Sequence, residues 1–223
     1  MAQAVFLHFF TYQKNRFWAF TQMQRAHADL QQCQGLQFYK MLGTGAGAGF
    51  SLRPDFSTYA LLSVWESVEA KEIAFAESSV LQSFYERSHK QQIFCLRPIH
   101  THGMWSGESP FETQVPLGDK PIGVITRATL NPTRLVDFWR HVPQASAAIK
   151  EAKGVGFFKG IGEWPFVQQA TFSVWESKEA IRIFAYESQA HASIVKKTRE
   201  RKWYKEDMFN RFEVIEVTTT TSL

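Results

Sequence analysis

A chain of 223 residues with 44% hydrophobic and 15% aromatic content, including 20 Phe and 7 Trp, can fill one large core or two small ones. Its net charge of +4 comes with no recognisable nucleic-acid-binding motif, which excludes that class of partner. Its two cysteines, Cys33 and Cys95, form no CxxC spacing, which excludes a disulfide framework and a zinc site.

Taken from the start, the chain shows elements that return later. Phe6-Leu7, Thr11, Arg16 and Phe20 correspond to Val124-Ile125, Thr129, Arg134 and Phe138. Gly35-Leu-Gln-Phe-Tyr-Lys-Met-Leu-Gly43 corresponds to Gly154-Val-Gly-Phe-Phe-Lys-Gly-Ile-Gly162, so Lys40 matches Lys159. Ser63-Val-Trp-Glu-Ser67 returns unchanged as Ser173-Val-Trp-Glu-Ser177, and the match runs on without a gap to Ser78 and Ser188. Identity of this length, with a Trp in it, marks a duplication. The first copy carries extra chain between Gly43 and Ser63, a Gly-rich insertion that reads equally as a lid and as a lengthened surface loop.

The second copy shows its elements more clearly. Pro121–Leu130 is β-branched and apolar, a strand, and Asn131-Pro132-Thr133 opens a helix. That helix runs through Leu135 and beyond, with Pro143 expected to bend or divide it and Gly154 to end it. Residues 155–162 and 167–175 read as a hairpin turning at Gly162–Pro165. Ser177 caps a second helix, and Phe209–Val217 alternates as a last strand. The unit is β-α-β-β-α-β, and the expected fold class is α+β: tandem ferredoxin-like units forming a two-sheet α+β barrel within one chain. The expected division is 1–105 for the first repeat, 106–120 for a connector, 121–217 for the second repeat and 218–223 for a tail. The aromatic content suits both a bulky core and a wide apolar cavity.

No stretch of about 18 apolar residues is free of charge, and the N-terminus has no secretory pattern, so a cytoplasmic location is expected. The basic run Lys196–Lys202 reads as a solvated helix face, with an anionic membrane surface as a second reading. Gly43-Thr-Gly45-Ala-Gly47-Ala48 matches a relaxed dinucleotide pattern, but the following Gly49–Pro54 cannot open a crossover helix, so no nucleotide site is expected. Hydrolytic and zinc signatures are absent from the sequence. His191 stands where the first copy has Leu81, an asymmetry that suits a ligand to a metal or haem iron and equally a helix-capping histidine. Arg127 lies in an otherwise uncharged strand where the first copy has Phe9. If it points inward it needs an anionic partner such as a cofactor propionate, and a solvated edge position is the alternative.

Gly35–Gly45, Tyr59–Trp65, Ile125–Thr129, Val167–Trp175, Trp203–Phe212 and the Gly103-Met-Trp-Ser-Gly107 segment with Pro110-Phe111 together resemble the spheroidene monooxygenase family. The resemblance implies a haem-dependent monooxygenase that places oxygen from O2 on an acyclic carotenoid to give a keto-carotenoid, with electrons from a donor protein such as ferredoxin. No short haem signature carries the iron ligand over from the family; His191 is the candidate metal ligand in this sequence, with Cys95 a thiolate alternative whose apolar setting favours a buried thiol. The rival expectation is a non-catalytic or stress-related α+β barrel that binds haem or another apolar ligand.

Overall fold

The computed structural model describes the chain except residues 1, 48–50, 52, 188 and 223, and except also the side chains of 186–192. It is a mixed α+β structure dominated by eight antiparallel strands that close on themselves in the order β1-β3-β2-β6-β7-β5-β8-β4. The first half supplies β1 (Ala4–Thr11), α1 (Arg16–Arg25), α2 (His27–Leu30), β2 (Leu36–Gly45), β3 (Pro54–Trp65), α3 (Val68–Glu77), α4 (Ser79–Arg87) and β4 (Lys90–His100). The second supplies β5 (Ile122–Leu130), a 3-10 turn over Pro132–Arg134, α5 (Leu135–Lys150), β6 (Val155–Trp164), β7 (Gln168–Trp175), α6 (Lys178–Arg182), a π-helical turn at Ile183–Glu187, α7 (Gln189–Glu200) and β8 (Tyr204–Thr221).

Two seams join the halves. At one, Gly43 of β2 pairs with Gly162 of β6; at the other, β4 pairs with β8 from Lys90–Thr221 to His100–Arg211. The shared motif Ser-Val-Trp-Glu-Ser is a strand-to-helix junction in both places. Ser67 and Ser177 each accept a hydrogen bond from the amide three residues on, at 3.1 Å, which caps α3 and α6. Gly35 and Gly154 take φ of +76° and +78° beneath those helices, where an added Cβ would meet the Ala70 or Ala180 methyl at 2.7 or 2.8 Å. Trp65 and Trp175 pack towards the helices, away from the barrel interior.

Three local expectations change. α5 passes through Pro143 undivided, with Pro143 on its exposed side. β6 continues past Gly162 to Trp164, so the turn falls at 165–167. β8 is 18 residues long because it serves two partners, β5 through its first part and β4 through its last.

The barrel interior is filled by phenylalanine. Phe94 lies 4.9 Å from Phe172 and 5.0 Å from Phe157 between ring centroids, and Phe9 lies 5.6 Å from Phe157. Of the two uses foreseen for the aromatic residues, the bulky core is the one realised inside the barrel. The segment between β4 and β5 adds to it by inserting Trp105 and Phe111, both buried in the same cluster.

Candidate functional site

Arg127 points into the barrel, where it is 1% exposed. Its anionic partner is a protein carboxylate: Nη1 donates to Glu206 of β8, and the guanidinium lies over the Trp105 ring, 5.7 Å from its centroid. Nε and Nη2 are buried without a hydrogen-bond partner. Desolvation alone would raise the Glu206 pKa, but the Ser106 and Gly107 amides, at 2.9 Å each, and the Arg127 charge hold it below the usual carboxylate range. Trp105 donates from Nε1 to Glu163, which also pairs with Lys40 at 3.2 Å. A second β8 carboxylate, Glu213, accepts from the Leu117 and Gly118 amides, so β8 holds the inter-half segment at both ends.

The outer, helix-facing surface differs sharply between the halves. In the first, one row across the sheet reads Met41, Leu61, His8, Ile93, residues directly opposite one another on β2, β3, β1 and β4. His8 and Leu61 are wholly buried there, and His8 stacks on Phe75 at 5.0 Å. Burial, then the nearby Lys71 charge, push the His8 pKa down to about 3, so it packs as a neutral ring. One continuous apolar cluster fills the space between this sheet and α1–α4.

The matching row of the second half reads Gly160, Thr171, Thr126, Phe209 on β6, β7, β5 and β8. Large side chains give way to small ones at three of four positions. Thr126 and Thr171, at the middle of central strands, remain only half-buried. The apolar packing beneath these helices splits into two separate clusters, one around Ala128, Phe138 and Trp203 and one around Val124, Trp175 and Ile181. Arg211 of β8 stacks on Phe209 beside this space, with its Nε buried and unpartnered. The helical cover departs from regular α geometry at the π turn Ile183–Glu187, a feature common at functional sites. A further cleft of about 340 Å³ lies on the flank of α5, between Trp139, Val142, Pro143 and Lys150 and Ser51 of the β2–β3 hairpin.

No family model matches the chain. Spheroidene monooxygenase of Cereibacter sphaeroides is 33% identical over 217 residues, 96% of this chain and 67% of that protein. The spheroidene monooxygenase of Rubrivivax gelatinosus is 32% identical over 178 residues, 80% of this chain and 68% of that protein. This chain belongs to the spheroidene monooxygenase family. It is therefore an enzyme of the monooxygenase class, which sets aside the non-catalytic binding protein as the alternative. Among solved structures, an aldoxime dehydratase is similar in fold, with TM-score 0.65 over 99% of this chain and 85% of that one, at 10% identity.

In this spheroidene monooxygenase family member the two candidate cofactor residues are not brought together. Arg127 faces the barrel interior, whereas α7, which carries His191, covers the outer face through Ile194. The His191 side chain lies outside the described residues, as do residues 48–50 and 52 of the Gly-rich insertion. Its counterpart Leu81 is wholly buried against the first sheet. Cys95 is half-buried beside the first-half cluster, and burial raises its thiol pKa, which keeps it protonated. Among the described residues no group of three or more His, Cys, Asp and Glu could hold a metal ion. No helix is long and apolar enough to cross a membrane. The small-residue row and Arg211 went unread in the sequence, although the correspondences His8/Thr126, Leu61/Thr171 and Met41/Gly160 carry the signal.

Proposed function

We propose that this chain is a haem-dependent monooxygenase that inserts oxygen from O2 into an acyclic carotenoid of the spheroidene type, giving a keto-carotenoid. Membership of the spheroidene monooxygenase family supports the substrate class. One structural observation carries the site: the row Gly160, Thr171, Thr126 sets small side chains on the second half's outer face where the first half sets Met41, Leu61 and His8. Each half also orders its strands 4-1-3-2, or 8-5-7-6, which supports reading the chain as two duplicated ferredoxin-like units, one of which lost its bulky outer row.

Two residues on this face support reading it as a haem site. A porphyrin brings four of its own nitrogens to the iron, so one protein ligand is enough, and His191 is the residue of the right type on the covering helix. Arg211, with a buried Nε lacking a partner, is suited to an anionic edge such as a propionate. Arg127 is engaged with Glu206 and Trp105 inside the barrel, on the other face of the sheet from this row. When bound, the haem supplies the activation of dioxygen with electrons from a donor such as a ferredoxin. The chain's part is to hold the polyene against an apolar wall of Val124, Ala128, Phe138 and Trp139 and to exclude water.

Expression in a cell that accumulates spheroidene tests the activity: a ketone product is expected, and unchanged spheroidene with soluble protein present counts against it. His191→Ala in the haem-loaded protein is expected to change the ligation spectrum, and an unaltered spectrum removes that assignment.

A further inference from the structure

Among the described residues, the exposed phenylalanines of the first half gather at one place. Phe17 and Phe20 lie one turn apart on α1, 81% and 52% exposed, and Phe56 of β3 is 57% exposed, with its ring 6.2 Å from that of Phe20. The Tyr12 amide donates to the Ser57 carbonyl at 2.7 Å, which ties the bulged start of β3 to the loop leading into α1. Lys14 on that loop, Arg16 at the start of α1 and Arg53 on the hairpin, close in sequence to these rings, are exposed. No Asp or Glu occurs before Asp29, and Asp55, next to Phe56 in the chain, is paired with Lys159 at 3.5 Å.

Three ordered aromatic rings facing water cost free energy that burial would recover, and cations without acidic neighbours set up a positive field around them. Aromatic side chains that penetrate an interface, ringed by Lys and Arg, match an anionic lipid surface in both apolar depth and charge. The other exposed aromatic pair, Trp164 and Phe166, differs. It sits on the β6–β7 hairpin, which points the opposite way because β2 and β6 are antiparallel, and Glu163 and Asp137 lie near it in sequence or structure.

We propose that Phe17, Phe20 and Phe56, with Lys14, Arg16 and Arg53, form the face by which this protein docks on an anionic bilayer. The same β2–β3 hairpin that carries Arg53 and Phe56 brings Ser51 to the cleft on α5, so the docking face is continuous with the second half's outer layer. The docking stands on exposure and charge and does not depend on the haem reading.

Sedimentation of the full chain with vesicles free of carotenoid tests it. Binding to phosphatidylcholine vesicles containing phosphatidylglycerol is expected, with weaker binding to phosphatidylcholine alone. Exchange of Phe17, Phe20 and Phe56 for Ser is expected to lower affinity tenfold or more with unchanged melting temperature, because all three side chains are exposed. Exchange of Lys14, Arg16 and Arg53 for Gln is expected to weaken binding about fivefold for each cation removed. Trp164→Ser is expected to bind as the parent does. Equal affinity of the parent for both vesicle types, no sedimentation with either, or unaltered binding by the Ser variant would each overturn the proposal.

Discussion

Thr126 on β5 and Thr171 on β7 stand directly opposite one another where the first half places His8 and Leu61. Both rows belong to the outer layer, and only the first is closed by large side chains. Both halves fill the interior of the barrel with phenylalanine, although Arg127 stands there where the first half has Phe9. The proposed site rests on this difference between the outer layers.

His8 predicts a pH effect on stability. Its folded pKa of about 3 lies below the ordinary value of 6.5, so between those values the unfolded chain binds the extra proton. Its contribution is therefore present at neutral pH and lost as pH falls from about 6.5. Urea unfolding of the parent should show stability dropping between pH 7 and 5 by about 1–2 kcal/mol more than in His8→Leu.

Arg127 and Glu206 should behave as a coupled pair. Glu206→Gln leaves the guanidinium buried without its countercharge and should cost about 3 kcal/mol, whereas the double variant with Arg127→Met should cost less than the sum of the two single changes. A double-mutant cycle by denaturant unfolding checks this; additivity would show that the pair is not coupled.

Trp105 closes one end of the barrel from the inter-half segment. Trp105→Ala should destabilise the fold by about 3–5 kcal/mol, measured by chemical unfolding, through loss of buried ring contacts and of the partner for Glu163. A change within 0.5 kcal/mol, the range of ordinary surface substitutions, would mean that the segment is a passive linker.

Much of the element order was legible because the duplicated junction residues each have a local cause: Ser67 and Ser177 cap helices, and Gly35 and Gly154 adopt positive φ. The full length of β8 was not, because its second part exists only through pairing with β4, a contact no local pattern encodes. Arg127 was legible as a cation that needs an anion if it points inward, with a solvated edge position equally open. Its partner Glu206 was not, since one lies on β5 and the other on β8, and only the barrel brings them together. Of the proposed site, the sequence offered His191 as a change of residue type, and its side chain lies outside the described residues; Thr126, Thr171 and Gly160 signal by what they lack, which shows only when both rows are laid out across the strands.

The most direct measurement is haem titration of a variant whose second row is filled, Thr126→Leu with Thr171→Leu, followed by the Soret band and checked by thermal melting. The account predicts a folded protein, melting at or above the parent's temperature, with haem affinity reduced at least tenfold. Parent-like haem binding by that folded variant would contradict it.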